Sequence, residues 1–539
     1  MKLRPIFEFF FSLLIINILI SCSTSSIRFR YSDPIWKEND TIAIPIPQTT
    51  NYKSFDELFS IILRRPVVDA LDFSRIKPSQ DVNSMDEVPV SSWFNHRLGY
   101  KIISPEELLR GPYKYGPPQP PLKITEGKFA GLTPGFIAID SRGIKYLFKF
   151  DPPDFPGIET AAAFIVNRLF WGFGYNVPED YLYYFSKEQV SVDPEGELTE
   201  SDVDSILSRV AAPRNGNYRC TASRLIDGVI IGPFSAKGVR KDDPNDYIDH
   251  ENRRVLRGLR VFGAFTNYTD LRIENTLDVY VGDNGKGYVK HYLLDFGGSL
   301  GALSADENKL WEGSNHLFSF KEIAKNLLLA GLSVQEWEEL KYTPWSSVGV
   351  FESEKYKPSQ WKETFPFLPV QLSQAADNYW AAKILGNLTP DHLRALVEAA
   401  NFPEEEAYEY VLNTLLKRQE KTLEYFLTQV SPLEMVSFSD SKMYLRDMTK
   451  VFLKDKFKNN SYKLEYLDAK DNKVAESKTI RNEGNEFQIE IPKAFIDKGD
   501  GYLHIEIKTI WDENSASSPV QFHIVTKNNN PPKLVGIVH

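Results

Sequence analysis

Cysteine, methionine and histidine are scarce in this chain of 539 residues, at two, five and eight. Cys22 and Cys220 could form one disulfide at most, and none if Cys22 is used otherwise, as argued below. The histidines are scattered, with no His-x-x-x-His spacing and no Cys-x-x-Cys beside them, which argues against a structural zinc site. Basic charge is also short: 63 Lys and Arg face 73 Asp and Glu, for a formal charge of −10. A general nucleic-acid binder needs a basic surface, so no nucleic-acid partner is expected. Long apolar runs are missing except near the amino terminus. Aromatic residues, by contrast, make up 13% of the chain and argue against disorder. The length allows two or three domains with cores of their own.

Lys2 and Arg4 precede the apolar run from Phe9 to Ile20, and Leu19-Ile20-Ser21-Cys22 follows. A basic start, a short apolar segment and a small residue before the cut read as an export signal. The run is too short for a confident spanning helix. Leu at −3 and Ser at −1 before Cys22 resemble a relaxed bacterial lipobox. That resemblance implies cleavage before Cys22, lipidation of Cys22 and a lipid-anchored place in the bacterial cell envelope. A simple cleaved signal with a chance cysteine is the alternative. Residues 1–22 are thus assigned as a lipoprotein signal peptide. Residues 23–119 read as a tether and an irregular, proline-rich extension, in which His96 and Arg97 are more often a structural pair than a ligand contact.

From Lys128 the pattern becomes regular. Strand, glycine turn, strand and a third strand, Ile144 to Phe150, follow one another. Gly131 and Gly135 would let backbone amides approach a ligand closely. Glu159 to Phe170 has helical spacing and stops near Gly172-Phe173-Gly174. Glu159 in its first turn suits the helix dipole. Strands are expected at Asp180–Phe185 and Tyr218–Ile226, with the acidic stretch Lys187–Asp204 as a surface insertion between them. Glu251 to Thr266 carries an apolar stripe and reads as one amphipathic helix.

That helix delivers the stretch around which the chain is organised. Asp270-Leu271-Arg272-Ile273-Glu274-Asn275 is a polar loop. Thr276–Val281 and Tyr288–Leu294 alternate as strands, and Asn284-Gly285 between them is a hairpin turn signal. Asp295-Phe296-Gly297 follows. Antiparallel pairing brings Asp270, Asn275 and Asp295 to one end of the hairpin. Oxygen donors of this type suit Mg²⁺, which usually shares them with substrate phosphates.

Asp-x-x-x-x-Asn, a hairpin and Asp-Phe-Gly resemble the catalytic and metal loops of the protein-kinase-like fold. Tyr268-Thr269 stands where ordinary kinases carry His-Arg. The resemblance is therefore closer to the divergent branch of HipA, CotH and secretory-pathway kinases. It implies Asp270 as catalytic base and Arg272 as a phosphate contact. Asn275 and Asp295 would hold the metal, and Gly131, Gly135, Lys149 and Glu159 the nucleotide, with Lys149 paired to Glu159. The implied cofactors are ATP and Mg²⁺ or Mn²⁺. The fold class expected is α+β, with a two-lobed kinase-like domain (lobes 120–230 and 231–432, the second helical). Helical spacing in that second lobe predicts short helices at Phe320–Ala330 and Gln335–Leu340 and later ones at Gln371–Leu385, Asp391–Ala400 and Glu404–Leu427. After it, residues 436–539 alternate as short strands and predict a small all-β sandwich of immunoglobulin or fibronectin type. His504 and His523 are expected to face solvent there.

Two functions follow. One is phosphoryl transfer from ATP to a protein or small-molecule hydroxyl. The other is a catalytically inactive kinase-like envelope lipoprotein that binds a protein or envelope polymer through the sandwich. Scarce ATP outside the inner membrane favours the second; retention of every polar ligand type favours the first. No Ser-His-Asp arrangement is legible. If Cys22 is the anchor, Cys22→Ala will abolish incorporation of radiolabelled palmitate and release the protein from the membrane fraction. Unchanged labelling would exclude Cys22 as the modified residue.

Overall fold

The computed structural model describes residues 27–50, 76–128, 133–283, 285–303, 306–307, 309–317, 336–439, 441–454, 456–512, 515–527 and 530–539. Cys22, Gly131 and the helix expected at Phe320–Ala330 lie outside them. The chain is a mixed α/β protein that divides into two compact units. One comprises the residues up to Pro34, Ser84–Asp86 and Thr428–His539; the other comprises Ile35–Asn83 and Glu87–Leu427. Among the described residues no helix is long and apolar enough to cross a membrane.

Among the described residues, the first helix of the larger unit is the short α1 (Pro105–Arg110), capped by Ser104. Six strands then build a sheet: β1 (Leu122–Gly127), β2 (Gly135–Ile139), β3 (Lys145–Phe150), β4 (Asp180–Phe185), β5 (Val190–Val192) and β6 (Tyr218–Arg224), in the order β4-β6-β3-β2-β1-β5. The first strand thus starts at Leu122, before the glycine turn, rather than at Lys128. Phe136, Phe148, Phe150, Tyr181 and Phe185 fill its buried face. The stretch expected as a surface insertion is largely exposed, with Val203 its one buried residue, but it is attached to this sheet. β5 pairs in parallel with β1, and helix α3 (Glu200–Leu207) buries Val203, Ile206 and Leu207 on the sheet. Its acidic residues mark only the outer face of an amphipathic helix.

Between β3 and β4 runs helix α2 (Ile158–Gly172), buried almost throughout. Its first turn is capped from a distance. Asp151 accepts the backbone N–H groups of Glu159 and Thr160, each at 2.9 Å, and the Thr160 hydroxyl at 2.7 Å. A carboxylate at a helix start satisfies orphan donors and suits the dipole.

The single helix expected over Glu251–Thr266 is broken. A 3₁₀ turn (His250–Asn252), helix α4 (Arg254–Arg257) and helix α5 (Leu259–Thr266) replace it. Gly258 marks the break, where a Cβ would come within 2.7 Å of the Trp380 ring. Beyond α5, β8 (Thr276–Val281) and β9 (Tyr288–Leu293) form the hairpin, with Thr276 opposite Leu293. A third strand, β7 (Val229–Gly232), flanks β8. Segment 37–50, read as part of a tether, lies along this sheet instead. Ile44 N–H donates to the Gly287 carbonyl, and the Tyr280 hydroxyl to that of Ile44, both at 2.8 Å. Helices α6 (Ala375–Gly386), α7 (Pro390–Ala399) and α8 (Glu405–Leu427) complete the unit. Thr389 caps α7 with Pro390 at its first position, as the sequence signals.

In the smaller unit β10 (Leu433–Ser439), β11 (Lys442–Asp447) and β14 (Glu486–Glu490) form one antiparallel sheet, ordered β10-β11-β14. β12 (Ser461–Asp468), β13 (Lys478–Arg481), β15 (Gly501–Asp512), β16 (Val520–Thr526) and β17 (Lys533–Val538) form the other, ordered β13-β12-β15-β16-β17. Leu433, Met443 and Ile489 of the first share one core with Tyr462, Ile505 and Phe522 of the second.

His504 and His523 are not solvent-facing; each is only 2% exposed. They sit opposite one another on β15 and β16, and Phe29 packs on His523 with ring centroids 5.0 Å apart. Burial, with the nearby His504 and Arg28, pushes His523 down to about 3. The unfolded chain therefore takes up a proton near pH 6.5 that the folded unit refuses. Stability from this site is present above pH 6.5 and is lost as pH falls towards 3, by at most about 1.4 kcal/mol per pH unit. His523→Gln should flatten the urea midpoint of this unit between pH 6.5 and 4. An unchanged slope would show that His523 does not set it.

Candidate active site

The cleft is built from one strand, one helix start and two loops. Lys149 stands near the end of β3, opposite Gly135 on β2. Directly opposed residues share a face of the sheet, so the missing side chain at Gly135 leaves the space beside Lys149 open. A Cβ there would also overlap the Phe148 carbonyl, so close strand packing alone requires glycine.

Lys149 Nζ lies 2.9 Å from Asp295 Oδ1. The partner that the resemblance implies for Lys149, Glu159, accepts the Thr133 hydroxyl at 3.0 Å instead. The Lys149–Glu159 pairing is thus corrected to Lys149–Asp295. Only ten residues separate Lys149 from Glu159, and the capped helix start holds Glu159 beside Gly297 instead. A Cβ on Gly297 would stand 3.4 Å from the Glu159 carboxylate and 3.7 Å from that of Asp295. Asp295 itself has φ of 54°, a left-handed conformation that Asp tolerates better than most residues. Protein packs densely around it, yet 44% of its side-chain surface stays open, so water screens the pair. Burial pushes its carboxyl up, but Lys149, Lys128 and Arg272 outweigh this and hold it below the ordinary range.

Asp270 and Asn275 meet across the polar loop. Asn275 Nδ2 donates to the Asp270 carbonyl at 2.7 Å and to its Oδ2 at 2.9 Å. Arg272 Nε lies 2.9 Å from Asp270 Oδ1. Burial raises the Asp270 carboxyl to about 6 against the pull of Arg272 and Asn275, with the charge of Asp295 adding to the rise. Gly298 presses on this loop, since a Cβ there would lie 2.9 Å from that of Asp270. Tyr268, in place of a histidine, donates its hydroxyl to the Leu294 carbonyl at 2.9 Å and packs on Phe296, centroids 5.5 Å apart. Phe296 packs in turn on Phe170 of α2 at 5.0 Å. One aromatic column thus ties the helix of Glu159 to the loops of Asp270 and Asp295.

The structure therefore gathers Lys149, Glu159 and Asp295 around one narrow cleft, with Asp270, Arg272 and Asn275 on the adjoining loop and Gly135 at its edge. Three groups there went unnoticed in the sequence. Asp180, at the start of β4, is buried and pushed up to about 6; Asn167 Nδ2 donates to it at 3.1 Å, and so does Ser223 Oγ. Lys128 donates to the Thr133 carbonyl at 2.9 Å and is lowered by burial and by Lys149. Ser223 is the third. Asp180 is the first residue of an expected strand, and nothing in that pattern marks it for the site; only β6 brings it behind Lys149.

Gly297-Gly298-Ser299-Leu300-Gly301 spells the Gly-x-Ser-x-Gly pattern of hydrolase elbows. Ser299 is fully buried and donates to the Phe296 carbonyl, so it presents no nucleophile. His96 is structural too: it contacts the Val88 carbonyl at 2.8 Å and stacks on Tyr100. Arg97 donates to the Trp171 and Tyr175 carbonyls.

Among the described residues no three His, Cys, Asp or Glu side chains form a metal cage. The donors present fit a hard cation that keeps its waters and shares few protein oxygens. Asp295 is held ionised, and with Nδ2 of Asn275 engaged on Asp270, Oδ1 is the oxygen left to its amide.

No family model matches the sequence, and no curated protein matches it. A crystal structure of a Helicobacter pylori proinflammatory kinase, CtkA, superposes with a TM-score of 0.32 at 13% identity, covering 57% of this chain and 94% of that one. A crystal structure of the golgi casein kinase gives 0.29 at 11% identity, covering 75% and 95%. Likeness of that size carries no functional weight.

Arg272 is the charge that restrains Asp270. Arg272→Gln should raise the Asp270 midpoint above 6, read from the carboxyl ¹³C shift of aspartate-labelled protein against an Asp270→Asn reference. A midpoint that stays put would show that Arg272 is merely a neighbour.

Proposed function

We propose that the larger unit is a protein-kinase-like domain of two lobes that transfers a phosphoryl group from ATP to a hydroxyl. The observation that carries this is the Lys149–Asp295 ion pair beside the Asp270–Asn275 loop, a cation and three oxygen-bearing side chains from distant chain segments around one cleft. Lys149 and Asp295 neutralise one another across the space a nucleotide would take. Lys149 would move to the α/β-phosphates, and Asp295 with Asn275 would hold the divalent cation. That cation would neutralise charge building on the transferred group.

Asp270 accepts the proton of the attacking hydroxyl, and the phosphorus–oxygen bond to the nucleoside diphosphate breaks as the new one forms. Arg272 beside it suits the phosphate, and Glu159 and Gly135 border the nucleotide. Since a base must be ionised, turnover should decline as pH falls through about 6, where Asp270 gains its proton. The smaller unit fits a sandwich of immunoglobulin or fibronectin type that holds an envelope protein or polymer. Cys22, lipidated, would anchor the chain at the bacterial envelope.

The inactive, binding-only reading also has support. The cavity around Lys149, Glu159, Asp180 and Asp295 holds only about 20 Å³, little more than one water. ATP must open it. Thermal unfolding with ATP and Mg²⁺ or Mn²⁺ decides between the two. Metal-dependent stabilisation of the wild type by ~2 °C or more, lost in Asp295→Ala, is expected for the kinase reading. No shift with either metal would leave the binding role alone.

A further inference from the structure

Lys149 forms its close ion pair with Asp295. If Asp295 turns to a divalent cation, Lys149 loses that partner just when it must stay in place. Removing one member of a largely buried pair is costly, so the ammonium needs a second counter-charge.

The register of the six-stranded sheet supplies one. β6 lies between β3 and β4. Lys149 on β3 is opposite Thr221 of β6, and Asp180 on β4 is opposite Ser223. Residues two apart on a strand point to the same face, so Lys149 and Asp180 share one face of the sheet. Lys149, Asp180, Thr221 and Ser223 line the narrow cleft from that face, with Glu159 of α2 and Asp295 across from them.

Asp180 is anchored there. It is 4% exposed. Ser223 Oγ donates to its Oδ1, and Asn167 Nδ2 donates to its Oδ2 at 3.1 Å. Asn167 is fixed in turn, since it also donates to the Pro178 carbonyl and accepts from Arg168 Nη1, both at 3.1 Å. The Asp180 carboxylate is therefore held by α2 and β6 and belongs to neither polar loop. Burial raises its carboxyl, while Ser223, Lys149 and Arg168 oppose the rise. Burial also disfavours the charged form of Lys149, and Asp295, Asp180 and Glu159, in that order, favour it. Glu159 is engaged with the Thr133 hydroxyl.

We infer that Asp180 is the positioning residue for Lys149, a fixed counter-charge that keeps the ammonium in the cleft when Asp295 leaves it for the cation. It takes the part expected of Glu159. This handover rests on the phosphotransfer reading; the attraction between Lys149 and Asp180 does not.

A double-mutant cycle in the full chain carrying Asp295→Asn, which removes the first partner, tests the attraction. Lys149→Met, Asp180→Asn and their combination are compared by urea unfolding followed through tryptophan fluorescence. Asn keeps the shape of Asp180 and one side-chain oxygen, so the cycle reads its charge. Sites without a shared interaction add to within about twofold in the unfolding constant, and a coupling of about fivefold or more is expected for Lys149 with Asp180. The same cycle with Glu159→Gln should give less. Coupling to Asp180 inside the additive margin, or exceeded by coupling to Glu159, overturns the assignment and leaves phosphotransfer standing. Asp180→Asn alone, in the otherwise native chain, gives an independent measure by ADP release from Mg²⁺–ATP. Charge builds on the departing diphosphate, so kcat should fall about tenfold while the KM for ATP changes by less than about twofold. A purely structural role would lower the folded fraction without that split, and a kcat equal to that of the wild type overturns the handover. Coupling to Asp180 in a chain without any metal–ATP stabilisation would sink phosphotransfer and the handover with it, and leave Asp180 as the fixed partner of Lys149.

Discussion

A single ion pair, Lys149 to Asp295 at 2.9 Å, is where the larger unit converges. A lysine on a strand and an aspartate after a hairpin, 146 positions apart, are brought together only if the six-stranded sheet and the hairpin are placed correctly. Unpaired, each would lose most of the compensation for its dense surroundings. Asp180 and Glu159 add negative charge behind Lys149, and Lys128 and Arg272 add positive charge around Asp295. The cleft is a balanced cluster in which no one group has its ordinary surroundings, a common setting for chemistry.

What holds the cluster is largely aromatic. Phe170 contacts Phe173, Phe262, Tyr268 and Phe296, and Phe173 stacks on Phe262 with centroids 4.2 Å apart. These rings join α2, α5 and both polar loops without using polar groups from the cleft. Asp151 does the corresponding work at the start of α2, fixing Glu159 through its backbone. Packing and capping thus set positions, and the charged groups remain available to a ligand.

The elements with strong local signals were legible in the chain. Asp180–Phe185, the hairpin and the three later helices fall close to where periodicity and turn residues put them. The misplacements share a cause. The helix before Asp270 breaks at Gly258 because Trp380, more than a hundred residues later, occupies the space of a side chain. The acidic stretch 187–204 stays largely exposed, as expected, yet β5 and Val203 attach it to the sheet in a way that its polarity does not show. His504 and His523 alternate correctly but sit on a face that the amino-terminal Phe29 covers. Each outcome depends on a distant partner, which local pattern does not contain.

Sequence by itself determined the residue types, their order, and the geometry of hairpin and helix starts, because these follow from spacing and backbone preference over a few residues. Asp270, Asn275 and Asp295 could be placed at one end of a hairpin on those grounds alone. Tertiary structure decided which charge faces which: that Lys149 takes Asp295 and not Glu159, and that Asp180 stands behind it. Electrostatic pairing depends on distance through space and on the loss of water, and neither is written in the separation of residues along a chain.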